Sequence, residues 1–228
     1  MTSIREQFAG DRHRPVYHFV PPKNWTNDPT GTFQANGLFH LFYQYRDAPS
    51  PEGPGGWGTW CHAATEDFIH WIDYPVAIER EEGGPDHVGC WSGGAFERDG
   101  SHTLIYWGNP GGICLADSDD GYRTWRKHPR NPVIELPDEP VEWRLHDPCA
   151  WKDGEWFYMA SGSQIGKPRA IGSSRDAGFL FRSRDAVDWE YAGLLYEPGG
   201  ESDLAVPSFF PFGDGHMLLF ASHSRGAQ

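Results

Sequence analysis

The chain has 228 residues with 28 glycines, 19 prolines, 15% aromatic side chains and a formal charge of −13. That length can bury a large core, as one all-β domain or two smaller ones. The acidity, with no basic run to offset it, argues against a nucleic-acid partner, and no apolar run is long enough to span a bilayer.

Residues 1–14 are polar and have no apolar core segment, so no secretory signal is expected and the chain reads as cytoplasmic. The first informative stretch is Asn24-Trp25-Thr26-Asn27-Asp28-Pro29-Thr30-Gly31. Pro29 fixes its own φ and biases Asp28 away from helix, so an acid is held in extended backbone between aromatic strands. Asp28 is the expected reacting carboxylate; if this stretch stood alone, a satisfied turn Asp before a proline would be the better reading. The run Leu38 to Tyr45 then reads as a buried strand entered by an Asn36-Gly37 turn.

Two signals recur down the chain. Asn36-Gly37, Asp99-Gly100, Asp153-Gly154 and Asp214-Gly215 each precede an apolar strand, with glycines 63, 54 and 61 residues apart. Between them come Thr65-Glu66-Asp67 with Trp71, Ser118-Asp119-Asp120 with Trp125, and Ser183-Arg184-Asp185 with Trp189. The strict alternation fits one four-stranded propeller blade per unit, which a β-sandwich has no reason to produce. No fourth Asp/Trp turn follows Asp214, so about three and a half blades of an all-β propeller are expected. Residues 48–56, 79–86, 136–141 and 163–174, rich in Pro, Gly or charge, read as blade loops.

Inner strands of a propeller converge on its channel, so residues at similar offsets before each hairpin glycine should meet. Asp28 lies nine before Gly37, Ser92 eight before Gly100 and Asp147 seven before Gly154, which places two acids and a hydroxyl at one mouth. Like charges gathered in an acidic protein cost repulsion and suit function better than stability. Two carboxyls facing a sugar can divide the work of glycoside cleavage, one as nucleophile and one as proton donor. Trp25, Trp57, Trp60 and Trp91 could serve as platforms for sugar faces, and Asn27 and Gln44 as hydroxyl partners, although core filling is the competing role for the tryptophans. Trp71, Trp125 and Trp189, being part of the repeat, read as structural.

Cys61, Cys90, Cys114 and Cys149 form no CxxC pair and read as buried small hydrophobes. His18, His40, His62, His87 and His146 share no ligand spacing, so no metal is expected. No organic cofactor is expected either, since hydrolysis at an anomeric centre needs only carboxylates and water. The oligomeric state is left open.

Several segments together resemble glycoside hydrolase family 32, the β-fructosidases. Trp25-Thr26-Asn27-Asp28-Pro29-Thr30-Gly31 resembles the family's Trp-Met-Asn-Asp-Pro-Asn-Gly signature. Leu41 to Tyr45, Trp57-Gly58, Trp60-Cys61-His62-Ala63, Gly89 to Ala95 and His146-Asp147-Pro148 follow in the family's order. The resemblance implies a five-bladed propeller, incomplete over residues 1–228, without the family's usual C-terminal β-sandwich. It implies Asp28 as nucleophile, Asp147 as the transition-state stabiliser that binds fructose hydroxyls, and Gln44, Trp57 and Ser92 as substrate contacts, with Asn27, Trp91 and His146 beside them. The substrate implied is a small molecule or oligosaccharide carrying a terminal β-fructofuranosyl unit, such as sucrose or a fructan.

Two departures stand out. His146 replaces the family's arginine before the aspartate. Ala205 falls where the family has its acid/base glutamate, so Glu201, Asp203 or no protein group is left as the proton donor. The alternatives are therefore a catalytically silent carbohydrate-binding propeller, or a related propeller glycosidase acting on arabinan or xylan.

Overall fold

The computed structural model describes residues 4–15, 17–46, 58–136, 143–166, 174–197, 204–222 and 226–227. Among the described residues a short helix, α1 (Ile4–Gln7), precedes sixteen strands in four antiparallel sheets, each running outward in chain order. The first sheet holds β1 (Trp25–Ala35), β2 (Leu38–Arg46), β3 (Thr59–Thr65) and β4 (Trp71–Asp73). The second holds β5 (Gly89–Arg98), β6 (Ser101–Asn109), β7 (Gly112–Asp117) and β8 (Arg126–Lys127), with β9 (Ile134–Glu135) also on β7. The third is β10 (Trp143–Asp153), β11 (Trp156–Gly166), β12 (Ser174–Ser183) and β13 (Glu190–Tyr196). The fourth is β14 (Leu204–Phe212), β15 (Gly215–Ser222) and β16 (Gly226–Ala227). The first strands of the sheets are neighbours in space in the order β1, β5, β10, β14. This is the blade arrangement of a partial propeller. Among the described residues no helix is long and apolar enough to cross a membrane.

Each seam between blades is filled by alternate residues of facing sheets. Phe42, Trp60, Leu104, Tyr106 and Cys114 close the first seam, and Ile105, Ile113, Leu115, Leu145, Met159 and Phe181 the second. Each such side chain contributes about 1.5–3 kcal/mol by leaving water. The far face of the first blade is covered by the N-terminal segment, with Phe19 set between Tyr43 and Trp71.

Both sequence repeats have a structural meaning. The hairpins at Asn36-Gly37 and Asp99-Gly100 have positive φ at both residues, as a type I′ turn requires. The third and fourth turns are shifted by one residue from the expected Asp-Gly pairs. Asp153 pairs with Trp156 and Phe212 with Gly215, so the turn residues are Gly154-Glu155 and Gly213-Asp214, with the glycine first in each. The second repeat is a capping turn between third and fourth strands. One carboxylate oxygen each of Asp67, Asp120 and Asp185 accepts two consecutive backbone N–H groups. Side-chain hydrogen bonds from His70 and Thr124, together with those amides, pull Asp67 and Asp120 below the usual carboxylate range.

Of the expected loops, 163–174 is partly strand, since β11 runs on to Gly166 opposite Ser174. Residues 48–56 and 137–141 lie outside the described residues.

Candidate active site

Every inner strand breaks its ladder at the same height. Two residues stand opposite one on the neighbouring strand: Asn27 and Asp28 opposite Gln44, Trp91 and Ser92 opposite Trp107, Asp147 and Pro148 opposite Ser161, Val206 and Pro207 opposite Phe220. Such bulges re-aim side chains that a regular strand would alternate between its faces. The three side chains therefore do not sit as their similar offsets before the hairpin glycines suggest. Asp28 and Ser92 take the second bulge position, whereas Asp147 takes the first, alongside Asn27 and Trp91 in the other blades.

Asp28 is tied across the first seam. Asn27 Nδ2 donates to Gln44 Oε1 at 3.3 Å, and Gln44 Nε2 donates to Ser92 Oγ at 2.9 Å. The Ser92 hydroxyl then donates to Asp28 Oδ2. Each donor in this relay hands a hydrogen to the next acceptor, and the acceptor-only carboxylate ends it. Gln44 and Ser92 are buried, so neither has an alternative partner in water. Just past the bulges, Thr30 Oγ1 donates to Gly93 O at 2.6 Å and accepts from Gly93 N at 3.1 Å. Within its own sheet Gly93 packs closely on β6, where a Cβ would lie 2.0 Å from Ile105 O.

Asp147 is held by other means. Its φ is 49°, and Val206, at the same bulge position in the next blade, has a φ of 44°. Left-handed backbone is costly for a non-glycine residue and most of all for a β-branched one. The outcome is that Val206 N donates to Asp147 Oδ2 at 3.1 Å, beside His146 Nδ1 on the same oxygen, also at 3.1 Å. Both acids are thus tethered through Oδ2.

The tryptophans divide. Trp60 is fully buried and donates from Nε1 to Trp91 O at 3.1 Å, which makes it core rather than a platform. Trp91 is half-buried beside Ser92, and Trp25 is 60% exposed at the start of β1. Trp57, Glu201 and Asp203 lie outside the described residues. Ala205 immediately precedes the fourth bulge, next to the amide that binds Asp147. Sequence reasoning missed Val206, because a backbone N–H leaves no mark on residue type.

Comparison with known proteins identifies the family. Residues 18–226 match the family described as "Glycosyl hydrolases family 32 N-terminal domain". The chain belongs to this family. It is similar to an Escherichia coli sucrose-6-phosphate hydrolase, with 32% identity over 96% of the chain and 46% of the relative. A raffinose invertase of the same organism is 34% identical over 93% of the chain and 44% of its own length. Among solved structures, fructan 1-exohydrolase IIa from Cichorium intybus superposes with a TM-score of 0.76 at 26% identity, covering 93% of this chain and 43% of the other. A Bombyx mori GH32 beta-fructofuranosidase mutant in complex with sucrose gives a TM-score of 0.74 at 29% identity, covering 95% and 47%. The family-32 chain thus spans about half the length of the relatives it matches.

Proposed function

We propose that the protein is a retaining glycoside hydrolase that releases a terminal β-fructofuranosyl unit from sucrose or a fructan. The observation that carries this is the presentation of Asp28 and Asp147 on matching bulges, each tethered, among the described residues, through its Oδ2. Asp28 attacks the anomeric carbon as the glycosidic C–O bond breaks, and the leaving oxygen takes a proton from an acid supplied at 201–203. Water then attacks the same carbon, frees Asp28 and returns a proton to that acid. Asp147 Oδ1 accepts from fructose hydroxyls, while Trp25, Trp91 and Asn27 border the sugar.

Ala205 favours a second reading, a propeller that binds the sugar without cleaving it, because losing a general acid costs a factor of about 100 to 10,000. Fructose release from sucrose and levan, measured beside Asp28→Ala, Glu201→Ala and Asp203→Ala, separates the two. The hydrolase reading requires turnover that disappears in Asp28→Ala and falls in one of the other two variants. Sugar binding by calorimetry with no turnover in the wild type would establish the silent propeller instead.

A further inference from the structure

We propose that His146 is a positioning residue that acts on the substrate only through Asp147, an inference that rests on the site proposed above. Successive side chains of a regular strand leave opposite faces. Here the β10 bulge and the left-handed turn at Asp147 bring neighbours to the same side, so that Nδ1 of His146 reaches Oδ2 of Asp147 at 3.1 Å. A carboxylate can only accept, so Nδ1 carries the hydrogen.

The imidazole is fixed from several directions. Ser161 Oγ donates to the His146 carbonyl at 2.9 Å, and the Trp107 ring lies 5.8 Å from the imidazole. The ring also occupies space that only a glycine leaves open, since a Cβ on Gly162 would come within 2.9 Å of it. Nε2 is buried and has no hydrogen-bond partner among the described residues, so this edge of the ring meets packing rather than solvent or sugar. With His146 Nδ1 and Val206 N both on Oδ2, Oδ1 is the oxygen of Asp147 left to face the substrate. The strand geometry that brings His146 beside Asp147 therefore sets which carboxylate oxygen works.

Two measurements on the full chain test this. Nitrogen-15 NMR of the histidine ring reports which nitrogen bears the hydrogen. The Nδ1–H tautomer is expected in the wild type, and Asp147→Ala should shift the Nδ1 resonance as its carboxylate acceptor is lost. An Nε2–H signature in the wild type, or no change in Asp147→Ala, overturns the proposal. Kinetics supply the second test, because the amide of Asn mimics Nδ1 and that of Gln mimics Nε2. His146→Gln should lower kcat/KM about tenfold to a hundredfold, the effect of losing a hydrogen bond to a charged group, and His146→Asn should recover most of it. Equal losses in both variants would refute the role. The nitrogen signature decides the proposal whether or not fructose is released, so failure of turnover in the wild type bears on the hydrolase reading alone.

Discussion

Asp28 and Asp147 sit on the same kind of bulge two blades apart, yet they are held in opposite ways. Asp28 ends a relay of side chains that crosses a seam, Asn27 to Gln44 to Ser92 to carboxylate, with no left-handed backbone at the acid. Asp147 is gripped by its own neighbour and by a backbone amide, with left-handed φ at both Asp147 and Val206. The first arrangement depends on residue identity and is open to mutation one side chain at a time. The second depends on residue identity at His146 but on backbone shape at Val206, so its amide donor survives most substitutions at Val206 and would fail mainly where proline removes the N–H.

The largest effect that separates the two acids should come from Asp28→Ala. If it is the nucleophile, turnover falls by about 10,000-fold or more, as when a covalent nucleophile is removed elsewhere, while the melting temperature barely moves. A variant retaining a tenth of wild-type turnover would remove Asp28 from that role. Next comes Ser92→Ala, which breaks the relay and leaves Gln44 Nε2 unpaired in a buried site. A tenfold to hundredfold loss of kcat/KM is expected from the roughly 1.5–3 kcal/mol carried by a hydrogen bond to a charged group. Kinetics unchanged from wild type would show that Asp28 needs no tether.

Acid should loosen the Asp28 side first. His40 and His62 share a 2.9 Å hydrogen bond inside the first blade, and His62 is sandwiched between Phe42 and Tyr74. Burial, with His40 nearby, depresses His62 to about 3. Burial also lowers His40, with His102 adding to the effect and a backbone contact at Ala35 opposing it. A histidine whose folded-state value lies below its unfolded one stabilises the fold above pH 6.5 and loses that contribution as pH falls toward 3. For His62 alone this is about 2 kcal/mol by pH 5. Hydrogen-exchange protection factors at pH 5 should therefore fall in β2 and β3 before β10 and β11; a uniform fall would contradict the assignment.

The smallest effect tests the Asp147 side. Val206→Gly relieves a strained φ while keeping the N–H, and Val206 is 37% exposed, so lost burial offsets part of that relief. A stability gain of up to about 1 kcal/mol is expected, read as a raised melting temperature with kcat/KM preserved. A melting temperature no higher than that of Val206→Ala, which loses similar burial and keeps the φ penalty, would mean that the left-handed residue is unstrained.

What the sequence determined by itself was periodic or chemical. The alternating Asx-Gly and Asp/Trp signals gave the blades, because hairpin turns and capping carboxylates demand particular residues. Asp28, Ser92 and Asp147 were legible because polar side chains recurred at nearly constant distance from those turns. Tertiary structure decided the rest. The shift of the third and fourth turns, the division between first and second bulge positions, and the burial of Trp60 all depend on how one sheet meets the next. The Val206 amide that holds Asp147 comes from a strand 59 residues away. Every residue but proline carries that donor, so only the fold could say which one would be aimed at the acid.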